Sequence, residues 1–463
     1  MSWQICRQRS EVMSVPDQLV ILGNGFDLQC GLASSFGDFE KPRKSLIEDL
    51  IEKHSTNQSR ADTSGELVTY PDDRKERQEA SLAADIWAAG ITVWDLILIA
   101  DEQIRTWYDV EACIRDWLLK DPEWGDQFPE QNNFHALKYQ YARYQKALVS
   151  DSYHNSDEIV ILHHYSDDDC FSQMPMNEQV SKLLFKWYAC SSDANSIMRV
   201  LMQELHRLET AFSRYMKNVA ESNENYRSRA CLLLEQLMND QLNDYNSLLT
   251  NNTYKIGGDI SFGDISFGDS FNNVRILDFN YTNPITDIKP APTLSNIHGN
   301  IHGGDIIFGI DSNSVDIDDS NYPGLVKFTK TYRLMALGKD SKTKLVHPHV
   351  SGQPGSETSI IKFFGHSLGD PDYSYFQAIF DEVDLYGSDT RLVFYYNQNR
   401  LNENKDDKKS KNTTSENAQE EMFEKVNRLI TTYGQTLDNK DHGRNLMHKL
   451  LLENRLQVVQ APV

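Results

Sequence analysis

Short apolar runs that end in glycine and polar residues recur along the chain. The clearest run covers residues 18–22, and the sequence Gly-Asn-Gly-Phe-Asp follows it directly at 23–27. Similar runs lie at 274–279, 360–364 and 390–396. Apolar runs of this length that are rich in branched residues predict buried strands, and glycines just after a strand let the backbone approach a phosphate or a ribose closely. The pattern therefore predicts strands whose carboxyl ends carry the polar groups.

A helical period replaces the strand pattern in the middle of the chain. Apolar side chains recur there every three or four residues, as on one face of a helix. Examples are Ile197, Val200, Leu201, Leu205 and Leu208. The predicted fold class is α/β, with a Rossmann-like, open and mostly parallel sheet and a large, mainly helical insertion. The predicted domains are a discontinuous nucleotide-binding core (17–60 and 270–400), the insertion (78–255) and C-terminal helices that dock on the core (422–463). An Asp-Ile-Ser-Phe-Gly tandem at 259–268 precedes the second strand.

Composition excludes several classes of function. The 463 residues carry a formal net charge of −22 at pH 7, and an acidic surface repels nucleic acid at long range. The six cysteines are dispersed without a Cys-x-x-Cys pair, which predicts reduced thiols in a cytoplasmic protein and no metal site. The most apolar window, at 86–100, is too short to span a bilayer. Neither a nucleic acid nor a membrane is therefore expected as a partner.

An aromatic and acidic segment at 107–111 has two interpretations. It contains Trp107, Asp109 and Glu111 on a predicted helix. One interpretation is a solvated helical face with Trp107 packed beneath it. The alternative is that Asp109 or Glu111 points into a catalytic cleft.

Five short motifs resemble, in their order, those of the bacteriophage abortive-infection AbiH family. They are Gly-Asn-Gly-Phe-Asp (23–27), Phe-Asn-Tyr-Thr (279–282), Ile-His-Gly (297–299), Ile-Phe-Gly-Ile-Asp (307–311) and Gly-His-Ser-Leu-Gly (365–369). This resemblance implies a bacterial, cytoplasmic effector of antiphage defence that a phage-derived protein triggers. A more distant similarity to sirtuin-like proteins implies a nucleotide ligand, NAD, as substrate or cofactor.

The resemblance also implies the roles of individual residues. The residues expected to bind the cofactor are Gly23, Asn24, Gly25, Phe26, Asp27, Gly365, His366 and Ser367. His298 is expected to be the base, and Asn280 to hold the nicotinamide ribose or a water. A neutral imidazole can accept a proton as positive charge develops on the ribose, while an amide orients the reactants. His302 also precedes a glycine and remains an alternative base.

Hydrolysis of NAD is the favoured activity. The sequence has no cysteine pairs of the kind that form the zinc module of deacylating sirtuins, which favours an NAD glycohydrolase over a protein deacylase. One alternative is a sensor that binds a nucleotide without turnover and recognises a phage component through its helical block. A weaker alternative is a nuclease, which would need a metal-binding carboxylate cluster. A homo-oligomer is compatible with each of these functions.

Overall fold

The computed structural model describes residues 16–62, 85–100, 104, 106–119, 194–240, 273–285, 288–289, 291–303, 305–315, 324–337, 344–350, 357–397 and 410–462. The tandem at 259–268 lies outside the described residues, as does the whole interval between 120 and 193.

In the part of the chain that the structure describes, one open sheet of six parallel strands forms the centre of the fold. The strands are β1 (Gln18–Leu22), β2 (Val274–Asp278), β3 (Thr293–Asn296), β4 (Ile360–Phe364), β5 (Arg391–Tyr396) and β6 (Leu456–Gln460). Their spatial order is β3-β2-β1-β4-β5-β6, the order of doubly wound dinucleotide-binding folds. The predicted α/β class with an open, parallel sheet is confirmed.

Helices surround this sheet. They are α1 (Asn24–Gln29), α2 (Phe36–Asp62), α3 (Val93–Ala100), α4 (Trp107–Leu119), α5 (Ala194–Ser222), α6 (Tyr226–Asn239), α7 (Lys330–Leu337), α8 (Tyr373–Glu382), α9 (Ser410–Thr436) and α10 (Lys440–Leu452). Short 3₁₀ helices occur at Ser312–Ser314, Leu325–Phe328 and Asp370–Asp372. The helices α1 to α6 all lie between β1 and β2 in the chain.

Two hydrophobic cores formed by the described residues cover the two faces of the sheet. Side chains alternate between the faces of a strand, so Leu19 and Ile21 pack with α8, α9 and α10, whereas Val20 and Leu22 pack with α3 to α6. All five residues of β1 are buried. Because both faces are covered, the carboxyl edge of the sheet is where polar side chains from several strands can meet.

A buried lysine joins the sheet to the helical block. Lys362, in β4, is completely buried, and its Nζ donates hydrogen bonds to the carbonyl oxygens of Leu237 (2.7 Å) and Asp240 (2.8 Å). These carbonyls belong to the C-terminal end of α6, where a helix has no backbone donors of its own to offer them. Lys362 therefore supplies the donors that this helix end lacks.

Replacing Lys362 with methionine should lower the free energy of unfolding by about 1–3 kcal/mol, because buried carbonyls lose their donor while the volume is kept. Urea denaturation followed by circular dichroism would measure the change. Lys344→Met is the matched control, since the Lys344 side chain is 57% exposed and its ion pair should contribute less than about 1 kcal/mol. Equal effects of the two substitutions would contradict the structural role given to Lys362.

Candidate functional site

The loops that follow β1 and β4 are in direct backbone contact. The N–H of Gly23 donates to the carbonyl of Phe364 (2.9 Å), and the N–H of Gly25 donates to that of Gly365 (2.8 Å). Gly365 has a φ of +70°, and a Cβ on it would lie 2.5 Å from the nitrogen of Phe26. Only glycine combines this backbone conformation with such a close approach. The glycines of both predicted loops therefore let two strand ends meet.

A cleft of about 280 Å³ opens beside these loops, where the strand order reverses between β1 and β4. Open α/β sheets bind their ligands at this switch point. The cleft brings together nearly all the predicted site residues. Those that line it are Gly23, Asn24, Gly25, Asp27, Asn280, His298, Gly365, His366 and Ser367.

Phe26 and His302 are not among the residues lining this cleft. Phe26 is completely buried and packs edge-to-face on Phe364, with ring centroids 5.9 Å apart. His302 is exposed on a turn, where its backbone N–H donates to Asn300. Phe26 therefore supports the loop from the core, and of the two candidate bases His298 is the one that lines the cleft.

Asn280 ties the end of β2 to the β1 loop. Its Nδ2 donates to the carbonyl of Gly23 (3.0 Å), and its backbone N–H donates to Oδ1 of Asp278 (2.9 Å). Asn296, at the end of β3, donates to the carbonyl of Asn280 (2.9 Å). The side chain is 4% exposed. These bonds fix the orientation of the Asn280 amide at the cleft wall.

The carboxylate of Asp27 accepts hydrogen bonds from side chains of the protein. The Tyr226 hydroxyl donates to its Oδ1 at 2.6 Å, and the Thr282 hydroxyl lies 3.0 Å from each carboxylate oxygen. Burial raises the pKa of Asp27 to about 6, although these two hydroxyls lower it. Asp27 thus connects the β1 loop to α6 and to the end of β2.

Asp372 lies at the centre of a buried polar network. Its Oδ2 is 3.3 Å from Nε2 of His366, and its Oδ1 is 3.6 Å from Nε2 of His298. The N–H of Leu368 donates to Nδ1 of His366 (2.9 Å), so the proton of this ring is on Nε2 and points to Asp372. Asp372 therefore holds His366 in one tautomer.

His298 is a neutral histidine at the cleft wall. It is 3% exposed, and its Nε2 has no hydrogen-bond partner among the described residues. Burial, followed by the charge of Lys330, lowers its pKa to about 3, against the opposing effect of Asp372. A buried nitrogen of this kind is available to a ligand hydroxyl.

Lys330 and Glu111 complete the network. Lys330 is 2% exposed, and its Nζ donates to Asp372 Oδ1 (2.6 Å) and to Glu111 Oε2 (2.7 Å). Glu111, in α4, lines the cleft, whereas Asp109 accepts a hydrogen bond from the backbone N–H of Thr106 (2.7 Å) at the start of the same helix. The 107–111 segment thus contains a feature of each interpretation. Glu111 lies at the cleft, and Trp107 packs on Phe308.

Lys330 and Asp372 are not among the site residues predicted from the sequence. Lys330 begins a short helix and has no local motif, and Asp372 was one acid in an Asp-Pro-Asp turn. The signal for Asp372 was its place directly after the Gly-His-Ser-Leu-Gly loop. No sequence signal marked Lys330, because its partners are 219 and 42 positions away.

The residues that the structure describes contain neither a cluster of metal ligands nor a membrane-spanning helix. No group of three or more His, Cys, Asp or Glu side chains there could hold a metal ion. No helix in the same part of the chain is long and apolar enough to cross a membrane.

Comparison with known families extends over most of the sheet and its loops. The model of the family described as bacteriophage abortive infection AbiH matches residues 19–396. The chain belongs to the AbiH family. Membership indicates a role in abortive infection, a form of antiphage defence, and the match includes every candidate site residue of this AbiH protein. No curated protein and no solved structure matches the chain, so the sirtuin-like similarity stays a prediction.

Proposed function

We propose that this AbiH protein binds NAD or a related nucleotide in the cleft and hydrolyses the bond between nicotinamide and ribose. The observation that supports this most strongly is the position of Asn280 and His298, both buried, at the switch point of a parallel sheet. Loss of NAD would then arrest the infected host, with a phage-derived component as the trigger.

The charge of the cleft favours a cationic ring as ligand. Of the described residues that line it, Asp27, Glu111, Asp372 and Glu421 carry carboxyl groups, whereas Lys425 is the one lysine. Lys425 itself bonds to Glu421. Lys330, which does not line the cleft, balances one negative charge of the pair Glu111 and Asp372, so carboxyl groups remain in excess. Oxidised nicotinamide is a pyridinium cation, which such a surface attracts.

Aromatic rings add to this preference. Phe36, Trp107, Tyr108 and Phe279 also line the cleft. Cations are attracted to the faces of aromatic rings, with a gain of about 0.5–2 kcal/mol each. A neutral dihydronicotinamide ring carries no positive charge, so it would lose the attraction to the aromatic faces and the attraction to the carboxylates.

Three residues of the cleft, His298, Asn280 and Asp372, have a part in the proposed reaction. The neutral His298 accepts a hydrogen bond from a ribose hydroxyl, and Asn280 orients the ribose or the attacking water. Positive charge develops on the ribose as the bond to nicotinamide lengthens, and the ionised Asp372 stabilises that charge from nearby. Nicotinamide leaves as a neutral molecule, so it needs no proton.

The test is incubation of purified protein with NAD, alone and with lysate of phage-infected cells. Nicotinamide and ADP-ribose are expected, and NADH should remain uncleaved because its leaving group carries no positive charge. Release of no nicotinamide under either condition would refute the hydrolase function. Equal cleavage of NADH would contradict the charge argument.

A second candidate function is a nucleotide sensor without turnover. The observation in its favour is the pKa of His298, about 3, because a general base works best with a pKa near the working pH. Calorimetry separates the two functions. Tight binding of NAD with no nicotinamide release would favour the sensor.

A further inference from the structure

We propose that Glu111 is the general base of the reaction, the group that takes the proton from the attacking water, and that Lys330 is its positioning residue. This inference rests on the proposed NAD hydrolysis. The buried Lys330 bonds to two carboxyl groups from distant parts of the chain, those of Glu111 in α4 and Asp372 in the turn before α8.

The two carboxyl groups differ in their surroundings. Asp372 bonds to Lys330 and faces His366 and His298, and these neighbours hold its pKa well below its usual range. It therefore remains an anion. Among the described residues, Glu111 has fewer donors, namely Lys330 and the backbone N–H of Gly309, while burial and the charge of Asp372 raise its pKa to about 7.

When the pKa values of neighbouring carboxyl groups are shifted in opposite directions, one group can act as acid or base while the other stays a fixed charge. Glu111 can exchange a proton near neutral pH, and it lines the cleft. Asp372 cannot, and serves as the permanent anion. His298 is too weak a base for this task, since its pKa is lowered to about 3.

The remaining groups that face Glu111 do not compete for the proton. Tyr281 and Tyr375 both interact electrostatically with it, and burial raises the pKa of each tyrosine above its usual value of 10.0. Both hydroxyls are therefore neutral at pH 7. Lys330 is also fixed in its charge, because Asp372 and Glu111 raise its pKa against the effect of burial.

The step balances as follows. The bond between C1′ and the pyridinium nitrogen breaks, and its electron pair neutralises the nicotinamide ring. The water oxygen forms a bond to C1′, and one water proton moves to the Glu111 carboxylate. Glu111 then releases this proton to solvent, so the products are nicotinamide, ADP-ribose and one proton.

Glu111→Gln tests the assignment, because glutamine keeps the shape and an oxygen for Lys330 but cannot take a proton. Turnover of NAD should fall by about 10²–10⁴-fold, the usual contribution of a general base, with NAD binding retained in calorimetry. The wild-type rate should rise with pH through an apparent pKa of about 7, and this acid limb should vanish in the variant. Asp116→Asn, an exposed position of the same helix, is the control and should keep both rate and profile.

A second variant covers the case in which Glu111→Gln does not fold. Glu111→Ala leaves space beside Lys330, and added formate should restore part of the rate there while leaving the wild type unchanged. Wild-type turnover that persists in Glu111→Gln with the same acid limb, or an active Glu111→Ala that needs no formate, would overturn the assignment. A wild type without any NAD turnover refutes the proposed function, and the inference with it.

Discussion

Lys330→Met should be among the most destabilising single substitutions in this protein. Removing one partner of a buried ion pair costs about 3–5 kcal/mol, because the other charge stays buried and unpaired. Here two carboxyl groups, Glu111 and Asp372, lose the same ammonium group. The effect should appear in urea denaturation as a lower midpoint with an unchanged slope.

The destabilisation should grow with pH. In the wild type the folded-state pKa of Asp372 is lowered, so its contribution to stability is fully present above the unfolded value and is lost as the pH falls toward the folded value. In the wild type, burial raises the pKa of Glu111 to about 7 even though Lys330 opposes it. Without Lys330, the pKa of Glu111 rises further in the folded variant, and burial raises that of Asp372 as well. The variant then gains stability as the pH falls and these groups take up protons. The difference in unfolding free energy between wild type and variant should accordingly be larger at pH 8 than at pH 5.

Lys425→Met is the matched control. Lys425 lines the same cleft but its side chain is 37% exposed, and its partner Glu421 is 64% exposed. Exposed pairs one helical turn apart contribute about 0.3–0.5 kcal/mol. Similar losses in both variants, or a gap for Lys330→Met that narrows as the pH rises, would contradict the buried-network account.

Local patterns predicted the centre of the sheet and missed its edges. β1, β2, β4 and β5 are apolar runs flanked by glycine or polar residues, and the sequence predicted all four. β3 consists of only four half-buried residues, Thr-Leu-Ser-Asn, and β6 is the short, partly exposed run Leu-Gln-Val-Val-Gln that follows a helix. Edge strands bury less surface, so they carry a weaker apolar signal.

The candidate site shows the same division. Residues in loops directly after strands were predictable, because parallel strands bring their carboxyl ends to one edge of the sheet. Glu111 and Lys330 come instead from helices that reach the cleft only through tertiary packing. A cleft position was one of two interpretations for Glu111, and Lys330 was not predicted at all. Their pairing across 219 positions depends on the whole fold and leaves no periodic or motif signal in the sequence.

The polar residues of the β1 loop illustrate a further limit. Asp27 was predicted to bind the cofactor, and its position after the strand favours that role. The structure gives its oxygens hydroxyl donors from α6 and from the end of β2. A sequence shows that an acidic residue follows a strand. Whether a ligand or a distant tyrosine donates hydrogen bonds to its carboxylate depends on how the helical block packs.

His298→Ala should abolish most NAD turnover, with a loss of about 10²-fold, because the substrate loses the buried acceptor that orients the ribose. Asn280→Ala should also reduce turnover, but it removes the bond to Gly23 as well and should weaken NAD binding. His302→Ala is the control, since His302 is an exposed histidine four positions further along the chain. The rate of nicotinamide release is measured for all three variants. Loss of turnover in His302→Ala but not in His298→Ala would give the role of ribose acceptor to His302 instead.

Stability provides an independent check that His298 is buried and neutral. Its folded-state pKa of about 3 lies below the ordinary value of 6.5, so between these two values the unfolded chain binds more protons and wild-type stability falls as the pH is lowered. The loss approaches about 1.4 kcal/mol per pH unit within this window. His298→Ala removes this penalty, and the difference in unfolding free energy should therefore shift toward the variant from pH 7 to pH 4.5. A difference that stays constant over this range would show that His298 is solvated, and the cleft would then lack the neutral acceptor on which the proposed reaction depends.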